Sequence, residues 1–365
     1  MVHEACPLLQ KLSLKRVSIN PLSKANRPLV AKHLKSFLAE DIIGLDKSNE
    51  WLYYFALKYP NLTHLVLWGR HTPLLSTNSL AWEERCQAMA QIGYRCRALR
   101  SLHLLNIPIN HCFFEAMDCA GTALESIGFG DLTDHTLDTL YSLARSRQQI
   151  SHLTLWGWPT LCIEDVMEGL MALLAYCDLE SLDFSMQFSG IRHSPFPISL
   201  LLSGSPKIKT LRLGQVHAII NAMDRQHSSS LEQLTLYDCM FRNQLFEGLA
   251  DHCPRLSHLV MNSCKLMDEP NQNIVIRMPQ HSLLSLCMDR MILPSNYYHM
   301  RLLREIKMFD VVQAFKERQV YELTDYEGSR PTNCVTLASK QVSNPCVSIQ
   351  CALLGELTIS GFLMN

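Results

Sequence analysis

The chain has 365 residues, of which 47% are hydrophobic and 18% charged. That balance supports a large packed core and excludes global disorder. The formal net charge of −1 argues against a dedicated nucleic-acid binder and against a protein held on an acidic membrane.

In chain order, the segment Met1 to Asn20 has no apolar run long enough for a secretory signal. The basic stretch from Met1 to Lys35 carries Lys11, Lys15, Arg16, Lys24, Arg27, Lys32 and Lys35 against the single acid Glu4, and reads as a solvated face. A motif then begins to recur: L-x-x-L-x-L, with any large apolar residue at each L. It stands first at Leu9-Leu12-Leu14 and next at Leu62-Leu65-Leu67. The long gap between them predicts two helices, about Pro28 to Glu40 and Asn49 to Tyr59, so residues 20–60 are either an irregular insert or a degenerate repeat. The glycosylation sequon Asn61-Leu62-Thr63 falls in a predicted strand and reads as chance. A loop with His71, Pro73 and Ser76 leads to a predicted helix over Ser79 to Ile92.

From there the motif is dense. It occurs at Leu99-Leu102-Leu104, Leu124-Ile127-Phe129, Ile150-Leu153-Leu155, Leu179-Leu182-Phe184, Ile208-Leu211-Leu213, Leu231-Leu234-Leu236, Leu256-Leu259-Met261 and Leu283-Leu286-Met288. Two more matches follow, at Leu303-Ile306-Met308 and, weakly, Leu354-Leu357-Ile359. From Leu99 to Leu283 the spacings are 25, 26, 29, 29, 23, 25 and 27, too narrow a band for chance. In the clearest unit, Leu231 to Leu266, Leu245, Phe246 and Leu249 form a helical stripe, and Pro254 ends the helix at Cys253. The most apolar later stretch, Gly169 to Cys177, is too short to cross a bilayer. Residues 310–365 are less regular.

The pattern has a direct physical meaning. Positions four and six alternate on a strand and point into a core, while positions three, five and seven point out. The remaining ~15 residues of a unit return behind the strand, and only stacked neighbours bury a unit's apolar face. The expected fold is therefore α/β: a single right-handed solenoid over residues 1–365, with parallel strands on a concave face and helices on a convex one.

The fourteen cysteines include no Cys-x-x-Cys pair and recur at repeat positions. Cys239 and Cys264 stand nine places into their units; Cys6, Cys96 and Cys253 stand three places before one, as does Tyr59. They are expected to be reduced and buried, as in the cytoplasm or nucleus. These cysteines, with the segment LTDHTLDTL at Leu132 to Leu140, resemble the cysteine-containing class of leucine-rich repeat found in F-box/leucine-rich-repeat proteins (RNI-like folds). The resemblance covers Ala5 to about Met308. It implies a substrate receptor of a cullin-based ubiquitin ligase, working in ubiquitin-dependent protein degradation. The helical adaptor-binding segment of that family is not visible ahead of Leu9, so adaptor contact is expected only through a segment missing from this chain. A truncated gene model, or a second polypeptide covering Leu8, Leu12 and Leu14, would explain this.

The outward positions supply the candidate site. His64, Trp68, His103, His152, Trp156, Asp183, Arg212, Tyr237, His258 and Asp289 are the candidate partner-binding residues on the expected concave face. Aromatic and arginine side chains dominate interface energetics. The competing reading is that the rings fold over Gly130 and Gly214 and simply plug that face. The four histidines cannot share one metal ion, because strands ~4.8 Å apart separate them too far for ligands within ~2.1 Å of a common point. Neither a metal nor a cofactor is expected, nor a nucleic-acid or membrane partner. Gly128-Phe129-Gly130 is not a phosphate loop, and no catalytic motif stands out, so the chain is expected not to be an enzyme. The leading expectation is protein recognition for a ubiquitin ligase. The alternatives are a scaffold or regulator without that link, a GTPase-activating protein using Arg212, and a small ligand on the concave face.

Overall fold

The computed structural model describes residues 6–16, 30–43, 50–69, 79–105, 107, 109–130, 134–146, 148–157, 163–186, 195–220, 228–267, 274–293, 308–313, 318–322 and 347–364. The chain forms two compact units, Met1–Leu179 and Glu180–Asn365.

The first unit alternates strand and helix: β1 (Lys11–Lys15), β2 (Ser36–Ile42), α1 (Glu50–Lys58), β3 (His64–Gly69), α2 (Ser79–Arg95), β4 (Ser101–Leu105), α3 (His111–Ala120), β5 (Ser126–Gly130), α4 (Asp134–Arg145), β6 (His152–Gly157) and α5 (Ile163–Leu174). Its six strands pair in chain order, all parallel. The register puts the same motif position side by side, as in Leu65↔Leu102, Leu102↔Ile127 and Ile127↔Leu153. These four side chains are at most 1% exposed. Burying each one contributes ~1.5–3 kcal/mol before the opposing loss of entropy. The helices cover this buried face: Phe37 of β2 meets Phe55 of α1 edge-on, with ring centroids 4.9 Å apart.

Two expectations, one for residues 20–60 and one for the sequon after them, differ from the structure. No helix runs to Glu40, because Ser36–Ile42 is strand β2, seated between β1 and β3. Its register, Phe37↔Leu65 and Ala39↔Leu67, makes Leu34-Phe37-Ala39 a motif with alanine at position six. This part of the gap thus adds a parallel strand between β1 and β3. The sequon precedes its strand rather than lying in it, and Asn61 donates through Nδ2 to the Lys32 carbonyl at 2.9 Å.

The second unit contains β7 (Ser181–Met186), β8 (Pro195–Pro197), α6 (Ile198–Gly204), β9 (Thr210–Gly214), β10 (His217–Ile219), β11 (Gln233–Tyr237), β12 (Met240–Phe241), α7 (Gln244–His252), β13 (His258–Asn262), β14 (Lys265–Leu266), β15 (Ile274–Leu293), β16 (Met308–Gln313), β17 (Arg318–Glu322) and β18 (Val347–Met364). Its main parallel ladder runs β7, β9, β11, β13, β15, β18. A second parallel ladder, β8, β10, β12 and β14, ends on β15. The motif Leu354-Leu357-Ile359 follows directly on Leu283-Leu286-Met288, through Leu286↔Leu357 and Met288↔Ile359. Of the expected unit at Leu303-Ile306-Met308, Leu303 and Ile306 lie outside the described residues. Met308 opens β16, which pairs antiparallel with β17 and parallel with the start of β18.

Three backbone and side-chain devices repeat along the chain. At position two, one carbonyl accepts from two successive N–H groups of the next repeat: Gln10 from Lys35 and Ser36, Lys35 from Thr63 and His64, and Glu232 from Ser257 and His258. Just ahead of the motif, buried side chains reach back one repeat. The Cys96 thiol donates to the Tyr59 carbonyl at 3.4 Å, Gln148 Nε2 to Thr122 at 3.0 Å, and His281 Nε2 to Cys253 at 2.8 Å. Cys239 and Cys264 do the same to Leu213 and Leu236, at 3.3 and 3.4 Å. Cysteine is favoured at these places because it is small and apolar and still donates weakly.

The third device is backbone strain. Arg16, Asp41, Gln215, Asp238, Ser263 and Arg290 all have φ between 48 and 56°, and each is the eighth residue of its motif. A non-glycine residue in this left-handed region costs ~1–2 kcal/mol. It turns the N–H of Arg16, Gln215, Asp238 and Ser263 onto the seventh-position carbonyl of the next repeat, at 2.8–3.0 Å. At Gln215, Asp238 and Ser263 the main strand ends and the short second strand follows, whereas Asp41 and Arg290 lie within β2 and β15.

Candidate functional site

In each unit, the sheet face opposite the helices carries motif positions three, five and seven. The candidate residues on it form two clusters and several separate positions.

In the first unit, Trp68 and Trp156 meet edge-to-face with centroids 6.0 Å apart and planes at 76°. Both occupy position seven, three strand steps apart, which is ~14 Å of backbone at ~4.8 Å per step. The indoles close that distance across the strands carrying Leu105 and Gly130. Two glycines make room. A Cβ at Gly130 would collide with the Leu105 side chain, and a Cβ at Gly128 would collide with the His103 ring. His103 thus lies flat, 6.0 Å from the Trp156 ring, with Nε2 3.1 Å from Ser126 Oγ. Burial, and secondarily the neighbouring His64, push its pKa below the usual 6.5. Trp68 Nε1 is buried without a hydrogen-bond partner among the described residues.

In the second unit, Asp183, Arg212 and Tyr237 occupy adjacent strands β7, β9 and β11. The Arg212 guanidinium lies 4.9 Å over the Tyr237 ring, and its Nη1 is 3.8 Å from Asp183 Oδ2. Tyr237 rests on Gly214, where any Cβ would collide with the ring. The Ser185 side chain hydrogen-bonds the phenol, whose pKa is raised chiefly by burial. Burial also raises the Asp183 carboxyl, and Arg212 lowers it by a smaller amount. Asp183 Oδ1 is buried without a hydrogen-bond partner among the described residues.

His64, His152 and His258 are not gathered into either cluster. Each is held by the hydroxyl residue just before it: Thr63, Ser151 and Ser257 Oγ lie 2.8–2.9 Å from the ring Nδ1. Those hydroxyls donate in turn to the carbonyls of Lys35, Glu125 and Glu232 at 2.9–3.3 Å. Because the hydroxyl hydrogen is committed, Nδ1–H is the donor, and these histidines act as local struts. Among the described residues, no group of three or more His, Cys, Asp or Glu side chains is placed to hold a metal ion. Asp289 joins Arg290, whose Nε is 3.2 Å from Asp289 Oδ2 and whose Nη2 is 3.0 Å from Asn262 Oδ1.

The plugging reading receives a divided answer. Tyr237 does cover Gly214, but Gly130 is covered by Leu105 rather than by a tryptophan ring. Ser126, Ser185, Asn262 and Arg290 take part in these contacts without being among the candidates chosen from sequence. The first three sit in the outward columns; Arg290 sits at the strained eighth position, which the alternation rule leaves unassigned.

The architecture defines the chain as an α/β repeat protein with parallel strands, its outward sheet positions carrying aromatic and charged clusters. No protein-family profile matches the sequence, and no curated protein matches it either. Among the described residues, no helix is long and apolar enough to cross a membrane.

Proposed function

We propose that this chain is a non-catalytic protein-recognition module: a leucine-rich-repeat solenoid whose strand face receives a partner polypeptide. The observation that carries this reading is the pair of preorganised clusters, Trp68/His103/Trp156 and Asp183/Arg212/Tyr237, on outward positions. Their large side chains are already immobilised by glycine seats and ring contacts. A surface that does not have to order itself on binding keeps more of its contact energy as affinity.

On its resemblance to F-box/leucine-rich-repeat receptors, the bound protein would be a substrate presented to a cullin-based ubiquitin ligase in the cytoplasm or nucleus. Affinity capture of the endogenous protein, tagged at Asn365, tests both levels of the proposal. Recovery of a cullin and its adaptor supports the ligase role. A stoichiometric partner without any ligase component leaves a scaffold or regulator. Trp156→Asp and Tyr237→Asp should each abolish capture while the circular dichroism spectrum stays unchanged. Undiminished capture by both variants would remove the strand face as the contact surface.

A further inference from the structure

We infer that Arg212 is the specificity residue of this face and that it takes a carboxylate of the bound polypeptide; the inference rests on the recognition reading above. The Arg212 side chain is 55% exposed. The nearest carboxylate among the described residues, Asp183, is at 3.8 Å, beyond hydrogen-bond distance. Among the described residues nothing accepts a hydrogen bond from its guanidinium. The stack on Tyr237 at 4.9 Å fixes the plane of the fork and leaves its N–H edge unsatisfied by any described residue. A planar fork held in one orientation matches a carboxylate through two parallel hydrogen bonds. The immobilisation comes from the fold, because Gly214 lets Tyr237 lie down and Ser185 pins the phenol.

The surrounding charges select the kind of anion. The strand neighbours on this face include Ser181, Thr210, Gln233 and Thr235, all uncharged. Lys209, one residue before the strand, is paired with Glu180 at 3.1 Å. Among the described residues, Asp183 is the fixed negative group beside Arg212. A monoanionic carboxylate meets the fork and tolerates that neighbour, whereas the second charge of a phosphate is repelled by it. Asp183 therefore acts as a filter, giving specificity through a repulsive element.

The test uses the full chain and a randomised twelve-residue peptide library displayed on phage. Selected peptides should share one Asp or Glu column. Synthetic versions should bind Arg212→Gln about ten- to a hundredfold more weakly, the loss expected for a charge-assisted fork. Arg212→Lys should recover little, because an ammonium cannot fork. Phosphoserine in place of the selected acid should bind no better, and Asp183→Asn should improve the phosphoserine peptide more than the carboxylate one. Selected peptides without an acid, or acid peptides that bind Arg212→Gln unchanged, overturn the carboxylate inference. If Tyr237→Asp still abolishes their binding, the recognition reading survives that result. Tighter binding of phosphoserine by the unmodified chain also overturns the inference, in favour of phosphate. Failure to select any peptide sinks the inference and the recognition reading together.

Discussion

Tyr237 lies across Gly214 so closely that a Cβ at residue 214 would overlap the ring. The two residues are register partners on β9 and β11, so the contact is a direct cross-strand seat. Gly214→Ala should lift the ring, disturb the Arg212 stack and cost ~1–3 kcal/mol, as overpacking does. In a Tyr237→Ala background the same change should be nearly neutral. Urea unfolding of the four proteins measures the coupling, and additive costs would mean the ring is not seated there.

The thiols should divide by reactivity. Burial raises the pKa of Cys96 and Cys253 from 9.0 to about 12, while Cys6 and Cys119 are exposed. Because the thiolate is the nucleophile, native iodoacetamide labelling at about pH 8 should modify Cys6 and Cys119 and spare Cys96 and Cys253 until urea is added. Peptide mass spectrometry reads the result.

The same shifts set an alkaline limit on stability. The folded state keeps these two protons at pH values where the unfolded chain has lost them. Their contribution is fully present below pH 9.0 and is lost as pH rises towards about 12. Cys96→Ala/Cys253→Ala should flatten the fall of stability with pH over that window. An unchanged slope would show that these thiols are not shielded.

His103 should act in the opposite direction. Its pKa is lowered by burial and by His64, so the folded state holds fewer protons than the unfolded one and stability falls as pH drops below 6.5. An NMR titration should place the His103 midpoint below the ordinary histidine value, and His64→Ala should raise it. A midpoint at or above that value contradicts the packed arrangement against Gly128 and Trp156.

The indole pair should show an edge-to-face coupling of ~0.5–1.5 kcal/mol in a double-mutant cycle of Trp68→Ala and Trp156→Ala. Trp68→Phe should cost little, because it removes a buried N–H that has no hydrogen-bond partner among the described residues. A large penalty would mean that this N–H is bonded.

How far the site was legible follows from the same residues. Alternation placed Trp68, Trp156, Arg212 and Tyr237 in outward columns, since a strand's period of two depends only on local backbone geometry. It could not tell that Trp68 and Trp156 converge across two intervening strands, or that Arg212 stacks on Tyr237. Those contacts depend on which neighbour lacks a Cβ, and that is known only once Gly128, Gly130 and Gly214 are set in register. The histidines divide as their positions do: His64, His152 and His258 at position three are struts held by the preceding hydroxyl residue, and His103 at position five is a packed ring.

The amino-acid sequence by itself determined the repeat, the buried positions four and six, and the reach of the pattern from Leu9 to Met288. A core can form only if apolar side chains recur at the spacing the backbone imposes. Tertiary structure decided the rest. It placed Phe37 and Ala39 in a strand despite the small sixth residue, because β1 and β3 supply that strand's pairing on both sides. It set β18 beside β15 and put Met308 at the start of β16. It also fixed the strained eighth residue, whose positive φ is offset by a hydrogen bond to the next repeat. That partner lies a whole repeat further along the chain, as Glu40 does from Arg16, beyond the reach of any local rule.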